Sequence, residues 1–177
     1  MDYGLKGKVV LVNGSTGGIG QAICRAFARE GAKLAIASTS QAKLDAFVPT
    51  LDIAPEDLKT FVADATKAEE VKAWVDGAYN HFGHIDVVIP NAGYEGSYQE
   101  IQDCTVENYM KVYSINVFGP MLLMKYAAPY LLKQESGAIV TIASNGSYTT
   151  AAGMSAYCSS KHAVAGIAKS VALELGP

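Results

Sequence analysis

The sequence has few charged residues, no excess of positive charge, few cysteines and no long apolar run. Of its 177 residues 18% are charged, and the formal net charge is −3. No basic cluster therefore points to nucleic acid or a membrane surface as a partner. No apolar run is long enough to span a bilayer, and the first residues lack the apolar core of a signal peptide. The three cysteines form no CxxC motif, and an odd number suits a reducing compartment better than a disulfide framework. We therefore expect a cytoplasmic protein.

The histidines do not indicate a metal site. His81 and His84 are three residues apart at the end of a helical pattern. Metal coordination needs further ligands at suitable spacing, and the sequence offers none. We interpret the pair as residues that cap the end of a helix, and we expect no bound metal.

Short apolar runs alternate with helical patterns along the whole chain. The runs predict strands over 8–13, 33–38, 58–63, 85–90 and 137–143, and the patterns predict helices over 18–30, 41–48, 67–82, 106–132 and 155–175. Strands that are apolar throughout and separated by helices predict a parallel sheet covered on both faces. Right-handed crossovers make such a sheet doubly wound. We predict one α/β domain over residues 1–177.

A glycine-rich loop separates the first predicted strand from the first predicted helix. Gly14 allows a sharp turn, and Gly18 and Gly20 allow close approach of a ligand to the backbone. The N–H groups at the helix start suit a pyrophosphate. The spacing Gly-x3-Gly-x-Gly differs from the common G-x-G-x-x-G, and a tight turn without a ligand is the alternative. The candidate cofactor-binding residues are Gly14, Ser15, Thr16, Gly17, Gly18, Ile19 and Gly20.

The end of the second predicted strand bears on the choice of cofactor. An acidic residue there would hold the 2′-hydroxyl of the NAD ribose. This strand instead ends in Ser38, Thr39 and Ser40. Hydroxyls can donate to a 2′-phosphate and no carboxylate repels it, so the sequence favours NADP, with NAD as the alternative. The nearest cation is Lys43, one turn into the next helix.

Two further strand ends carry candidate cofactor contacts. Asp64 follows the third strand and is interpreted either as a turn or capping residue or as an acceptor for the adenine amino group. Asn91, Ala92 and Gly93 follow the fourth strand. Small residues there leave room for a cofactor at the point where such sheets bind ligands.

The second half of the chain holds the candidate catalytic residues. Tyr157 and Lys161 are four residues apart in a helical pattern and share one helix face. A free tyrosine hydroxyl ionises near pH 10, so a tyrosine base needs a nearby cation such as this lysine. Ser144 follows the fifth strand, where a loop or capping serine is the alternative. Asn116 interrupts a long apolar helical pattern, which suggests a local hydrogen-bonding role.

Taken together, these motifs resemble those of the classical short-chain dehydrogenase/reductase family in order and spacing. They are Gly14-x3-Gly18-x-Gly20, Asn91-Ala92-Gly93, Asn116, Ser144 and Tyr157-x3-Lys161. The resemblance runs from about residue 6 to the last residue. It implies a Rossmann fold and an enzyme that interconverts a ketone or aldehyde and an alcohol with NADP or NAD.

The resemblance also implies roles for individual residues. Tyr157 would be the acid or base, Ser144 would bond the carbonyl oxygen, and Lys161 would stabilise the tyrosine phenolate and bind the nicotinamide ribose. Asn116 would hold a water that relays protons through Lys161. Asp64 and Ala65 would meet the adenine, and Tyr157 would contact the cofactor. Family members usually form dimers or tetramers through their long helices, so we expect a homodimer or homotetramer.

The chain departs from the family pattern in two residues and in length. Asn13 replaces the usual threonine, and Pro90 replaces the first asparagine of Asn-Asn-Ala-Gly, which leaves the bonds of those side chains open. Members usually have roughly 250 residues, so we expect the last two strands of the fold to be missing and the domain to be incomplete at its C-terminus. The alternatives are a dinucleotide-binding fragment without turnover and a five-stranded flavodoxin-like domain that binds FMN.

Overall fold

A computed structural model describes residues 2–176. The strands are β1 (Val9–Val12), β2 (Lys33–Ser38), β3 (Leu58–Val62), β4 (Val87–Ile89) and β5 (Ala138–Ile139). The helices are α1 (Gly18–Arg29), α2 (Gln41–Phe47), α3 (Ala68–Phe82), α4 (Val106–Tyr113), α5 (Gly119–Leu131) and α6 (Ser155–Leu175). Strands and helices alternate up to α4, as the sequence predicts.

The five strands form one parallel sheet in the order β3-β2-β1-β4-β5. The chain builds outward from β1 to β3 and then returns to place β4 on the other side of β1. The predicted doubly wound sheet is therefore confirmed. A flavodoxin-like sheet has the order 2-1-3-4-5, so the observed order excludes the flavodoxin-like alternative.

Alternate residues of the central strand face two separate cores. Val9 and Leu11 pack in the core that includes α3 and α5, whereas Val10 and Val12 pack in the core that includes α1 and α2. All four side chains are fully buried. A strand with helices on both faces must be apolar at successive positions, which is why β1 reads as a continuous apolar run.

Most element boundaries differ from prediction by one or two residues, and β5 differs more. The sequence predicts a strand over 137–143, but regular strand pairing covers Ala138–Ile139. The ladder continues beyond it through single backbone bonds, from Val140 N to Val88 O (2.9 Å) and from Ile142 N to Pro90 O (3.1 Å). Within residues 2–176, β5 pairs with β4 alone.

The continuous helix predicted over 106–132 is wrong. A π-helical turn, Ser114–Phe118, separates α4 from α5. Pro120 has no N–H to donate to the carbonyl of Asn116, four residues earlier. The Gly119 N–H instead bonds the carbonyl of Ser114, five residues earlier. The wider turn contains Asn116, and such turns often occur at functional sites.

The histidine pair lies at the C-terminal end of α3. Gly83 ends α3 in the left-handed region (φ +82°), and His84 Nδ1 lies 3.1 Å from the carbonyl oxygen of Phe82, the last residue of α3. No cluster of three or more potential metal-ligating side chains occurs in residues 2–176. In the same range, no helix has both the length and the apolar character needed to cross a membrane.

The burial of the cysteines predicts their reactivity. Cys24 is fully buried in α1, and burial raises the pKa of its thiol to about 12. Cys158 is also buried, whereas Cys104 is half-buried. Because the thiolate is the reactive form, we expect a disulfide reagent to label Cys104 first in the folded protein and Cys24 only after unfolding. A Cys104→Ser variant is the control, and rapid labelling of Cys24 would contradict the packing of α1.

Candidate active site

A cleft of about 460 Å³ opens at the carboxyl ends of the strands. A volume of this size lies within the usual range of about 300–1,000 Å³ for ligand sites. It is lined by the glycine-rich loop, by the chain after β2, β3 and β4, and by α6. The predicted cofactor-binding residues line it except for Ser15 and Asp64. Of the predicted catalytic residues, Tyr157 and Lys161 line the cleft, whereas Asn116 and Ser144 do not.

Two asparagines join the loops that follow β1 and β4. Asn13 Oδ1 accepts hydrogen bonds from the backbone N–H groups of Asn91 (2.7 Å) and Ala92 (2.8 Å). In return, Asn91 Nδ2 donates to the carbonyls of Asn13 (2.9 Å) and Gly14 (3.1 Å). The asparagine that replaces the usual threonine thus makes two bonds across the switch point of the sheet.

The glycines of the first loop serve different purposes. Gly14 has a φ of +58°, which favours glycine. A Cβ on Gly20 would overlap the carbonyl oxygen of Gly14 and lie 2.8 Å from the Cα of Ser15. A Cβ on Gly18 would meet no atom within 4 Å. Gly20 is therefore required by the packing of the loop, whereas the space beside Gly18 is open to a ligand.

The start of α1 is suited to an anion. No side chain caps this end, and its first turn contains no acidic residue. The first N–H groups of a helix lack intrahelical partners and lie at the positive end of the helix dipole. A phosphate at this position would satisfy them.

Ser15 and Thr16 attach the loop to the end of β2. Ser15 is fully buried, and its hydroxyl donates to the carbonyl of Ala37 (3.0 Å). Thr16 Oγ1 and Ser38 Oγ are hydrogen-bonded at 2.9 Å. The side chain of Ser15 is therefore structural, and the hydroxyl of Ser38 already has a protein partner.

The three hydroxyls predicted to bind a 2′-phosphate differ in burial and in hydrogen bonding. Ser38 is buried, Thr39 is exposed and lines the cleft, and Ser40 Oγ accepts from the Lys43 N–H (3.3 Å) as the cap of α2. The Lys43 side chain is exposed and also lines the cleft. The structure therefore brings a cation to the end of β2, next to the residues predicted from the sequence.

Asp64 occupies the position of a turn residue. Its Oδ1 accepts from both the N–H and the hydroxyl of Thr66, each at 2.8 Å. Its own N–H donates to Glu70 Oε2 (2.8 Å). These bonds match the turn interpretation of Asp64. Its neighbours Ala63 and Ala65 line the cleft.

Tyr157 and Lys161 face the cleft from the first turns of α6. Lys161 Nζ lies 5.9 Å from the centre of the Tyr157 ring and donates to the carbonyl of Ile142 (2.9 Å). Lys161 is 5% exposed, and this burial lowers the pKa of its ammonium group. A cation with so little solvent around it exerts a stronger field on its neighbours than a surface lysine does.

Asn116 lies behind the cleft in the π-helical turn and is fully buried. Its Oδ1 accepts from the Tyr94 N–H (2.8 Å), and its Nδ2 donates to the Tyr94 carbonyl (2.8 Å) and to Ser160 Oγ (3.0 Å). The side chain therefore joins three segments: the loop after β4, the π-helical turn and α6.

Ser144 follows the β5 ladder beside Tyr157. Its Oγ donates to Asn145 Oδ1 (3.1 Å) and accepts from the Gly146 N–H (3.1 Å). A Cβ placed on Gly146 would lie 3.5 Å from Ser144 Oγ and 3.4 Å from Tyr157 Cε1. The absence of a side chain at Gly146 thus leaves space between the two predicted catalytic residues.

Sequence reasoning overlooked several residues of this site. Ile115, Ile142 and Ala143 also line the cleft. Ile142 contributes its backbone carbonyl to Lys161, which no side-chain pattern reveals. Ser160 precedes Lys161 in the helical pattern. A serine in the interior of a helix can indicate a hydrogen bond from its hydroxyl to a nearby backbone carbonyl, and this signal is present in the sequence.

Comparison with known proteins shows the family to which the chain belongs. The family described as "short chain dehydrogenase" matches residues 8–177. The chain belongs to this family. Its structural similarity extends to NAD+-bound xylitol dehydrogenase, with a TM-score of 0.92, 32% identity and coverage of 98% of this chain and 66% of that one. It also extends to levodione reductase, with a TM-score of 0.92, 32% identity and coverage of 97% and 67%.

Curated members of the short chain dehydrogenase family are similar over nearly the whole chain. Zerumbone synthase of Zingiber zerumbet is 38% identical over 173 residues, which are 97% of this chain and 64% of the relative. (+)-Borneol dehydrogenase 2 of Salvia officinalis is 36% identical over 97% of this chain and 61% of the relative. The chain therefore spans between three fifths and two thirds of the length of these relatives.

Because Gly18 and Gly20 have different surroundings, we expect alanine to weaken cofactor binding at Gly18 and to lower the stability of the fold at Gly20. Gly18→Ala adds a methyl group where a pyrophosphate would approach. We therefore expect the Kd for NADPH or NADH to rise about tenfold or more. The free energy of unfolding should change by less than about 1 kcal/mol. Gly20→Ala forces the loop apart, and we expect it to lower the free energy of unfolding by about 1–3 kcal/mol.

Titration of cofactor fluorescence and denaturant unfolding measure these two quantities. An unchanged Kd in Gly18→Ala would show that a dinucleotide does not approach the start of α1. Unchanged stability in Gly20→Ala would contradict the tight packing of the loop.

Proposed function

We propose that this chain is the cofactor-binding and catalytic part of an oxidoreductase that interconverts a ketone or aldehyde and an alcohol, with NADP(H) preferred over NAD(H). One observation carries the proposal: Tyr157 and Lys161 line the same cleft as the open glycine-rich loop and the end of β2. A site for acid–base chemistry thus continues directly from a site suited to a dinucleotide.

The residues of the cleft fit such a cofactor. The start of α1 and the open space beside Gly18 suit the pyrophosphate, while Ala63 and Ala65 leave room for the adenine. Thr39 and Lys43 suit a 2′-phosphate at the end of β2, where no carboxylate would repel it. When bound, the nicotinamide group supplies or accepts the hydride, and the protein supplies binding and orientation.

The side chains of this chain would handle the proton and the substrate oxygen. Tyr157 donates a proton to the carbonyl oxygen in reduction and takes one from the alcohol in oxidation. Ser144 hydrogen-bonds that oxygen and stabilises the negative charge that develops on it. The Lys161 ammonium stabilises the ionised tyrosine.

A proton-relaying water beside Asn116 needs an acceptor that the protein leaves available. Both N–H groups of the side chain donate to protein atoms. Pro120 leaves the backbone carbonyl of Asn116 without its usual donor from four residues later. We therefore assign the water to this carbonyl rather than to the side-chain N–H groups.

A dinucleotide-binding unit without turnover of its own is the second candidate. The observation that favours it is that Ser144, the predicted partner of the carbonyl oxygen, does not line the cleft. Oxidation of NADPH and NADH with a panel of ketones and aldehydes separates the two candidates. Binding with no turnover by any substrate would support the second, and neither binding nor turnover would reject both.

The exposed surface of α4 and of the turn after it supports the expected homodimer or homotetramer. Val106, Met110 and Phe118 are exposed apolar residues on and after α4. Exposed apolar patches of this kind often mark protein interfaces. Sedimentation of the purified chain tests the assembly, and imaging of the tagged protein tests the predicted cytoplasmic location.

Removal of the Tyr157 hydroxyl should abolish proton transfer without affecting binding. We expect Tyr157→Phe to lower kcat by roughly 10²–10⁴-fold, the usual contribution of general acid–base catalysis. The Kd for NADPH should stay within about twofold, because the phenyl ring is retained. Single-turnover measurement of cofactor oxidation tests this, and a loss of only a few-fold would exclude Tyr157 as the acid.

A charge at the end of β2 should reverse the cofactor preference. In Ser38→Asp the carboxylate would repel a 2′-phosphate, and we expect the ratio of the Kd values for NADPH and NADH to rise about tenfold or more. Ser38→Asn has the same size without the charge and is the matched control. An unchanged ratio in Ser38→Asp would show that the 2′-phosphate lies elsewhere.

A further inference from the structure

Ser160 connects α6 to the π-helical turn. It is fully buried, and its Oγ donates to the carbonyl of Tyr157 (2.6 Å), three residues earlier in the same helix. The same oxygen accepts a hydrogen bond from Asn116 Nδ2 (3.0 Å). A serine hydroxyl has one proton and two lone pairs, so it can make both bonds at once.

The bond from Asn116 matters because the amide has no spare partner. Its Nδ2 carries two protons, one directed at Ser160 and the other at the Tyr94 carbonyl (2.8 Å). Its Oδ1 accepts from the Tyr94 N–H (2.8 Å). Without the Ser160 oxygen, one N–H of a fully buried amide would lose its acceptor. Because a buried unpaired donor is unfavourable, the amide would turn toward another partner and weaken its two bonds to Tyr94.

The two ends of this chain of hydrogen bonds both line the cleft. Tyr94 lines it from the loop after β4, and Tyr157 lines it from α6. A second serine holds the same part of α6, since Ser147 Oγ donates to the carbonyl of Lys161 (2.9 Å). The segment that carries Tyr157 and Lys161 is thus fixed through hydroxyl groups on both sides.

We propose that Ser160 is a positioning residue: it orients the amide of Asn116 and so sets the distance between the Tyr94 segment and the Tyr157–Lys161 pair. Its effect on catalysis rests on the proposed function, whereas its effect on the Tyr94 segment does not. A displacement of about 1 Å at a reacting group can lower a rate about a hundredfold.

Ser159 provides a matched control in the same helix. Its Oγ also donates to a carbonyl three residues earlier, that of Ala156 (3.2 Å). It is half-buried and makes no bond to Asn116. Ser159→Ala and Ser160→Ala therefore remove the same local bond and have the same effect on helix propensity, but only Ser160→Ala removes the acceptor for Asn116.

Amide hydrogen exchange of the 177-residue chain tests the structural part without any turnover. We expect Ser160→Ala to raise the exchange rate of the Tyr94 N–H about tenfold while the amides of β1 keep theirs, and Ser159→Ala to change neither. Ser160→Cys replaces the hydroxyl by a thiol, which bonds weakly. It should act in the same direction and decides the matter if Ser160→Ala does not fold.

An unchanged Tyr94 rate in the Ser160 variants would overturn the proposal. Equal changes in the Ser159 and Ser160 variants, or a parallel change in β1, would also overturn it, because they would indicate general loosening of the helix or of the fold.

Kinetics test the catalytic part. With the carbonyl substrate that the wild-type chain reduces, we expect Ser160→Ala to lower kcat about tenfold or more. Its Kd for NADPH should stay within about twofold of the wild-type value. Ser159→Ala should leave kcat unchanged. An unchanged kcat in Ser160→Ala would overturn the positioning role. If the wild-type chain turns over no substrate, the proposed function fails and the exchange measurement alone decides the role of Ser160.

Discussion

The pairing of β1 with β4, reinforced by Asn13 and Asn91, determines the positions of the loops that form the site. β4 returns to the far side of β1 after β2 and β3 have been laid down on the other side, so the loops after β1 and β4 diverge from neighbouring strands. The two asparagine side chains then connect these loops through four hydrogen bonds. The glycine-rich loop on one side and the Tyr94 segment on the other both depend on this connection.

From this point the site extends in two directions that differ in how they are held. Toward β2, the loop is attached by the hydroxyls of Ser15 and Thr16. Toward β5 and α6, the connection runs through the amide of Asn116 and the carbonyl of Ile142. The region suited to a dinucleotide is held through side-chain hydroxyls, whose partners lie 22 positions away in the sequence. The acid–base region is held through an amide and an ammonium group, whose partners lie 44 and 19 positions away.

Much of this arrangement could be predicted from the sequence. The apolar runs and the glycine loop give the parallel sheet and the position of the cleft, because strands buried on both faces and a glycine turn at a strand end leave clear patterns. Tyr157 and Lys161 could be identified because their spacing places them on one helix face. The break at Ser114–Phe118 was missed, although Pro120 was visible in the helical pattern. The bond from Lys161 to the Ile142 carbonyl could not be predicted, since backbone atoms are the same at every position.

The burial of Lys161 has a consequence for the electrostatic potential of the cleft. Two lysines line it, the exposed Lys43 near the end of β2 and the buried Lys161 beside Tyr157. Burial lowers the pKa of Lys161, so its ammonium group loses its proton more readily in alkaline solution than the group of a free lysine does. Loss of that proton removes the positive charge beside Tyr157, at the reacting end of the cleft. At neutral pH the buried Lys161 attracts an anionic ligand more strongly than the exposed Lys43 does, and this attraction weakens as Lys161 loses its proton.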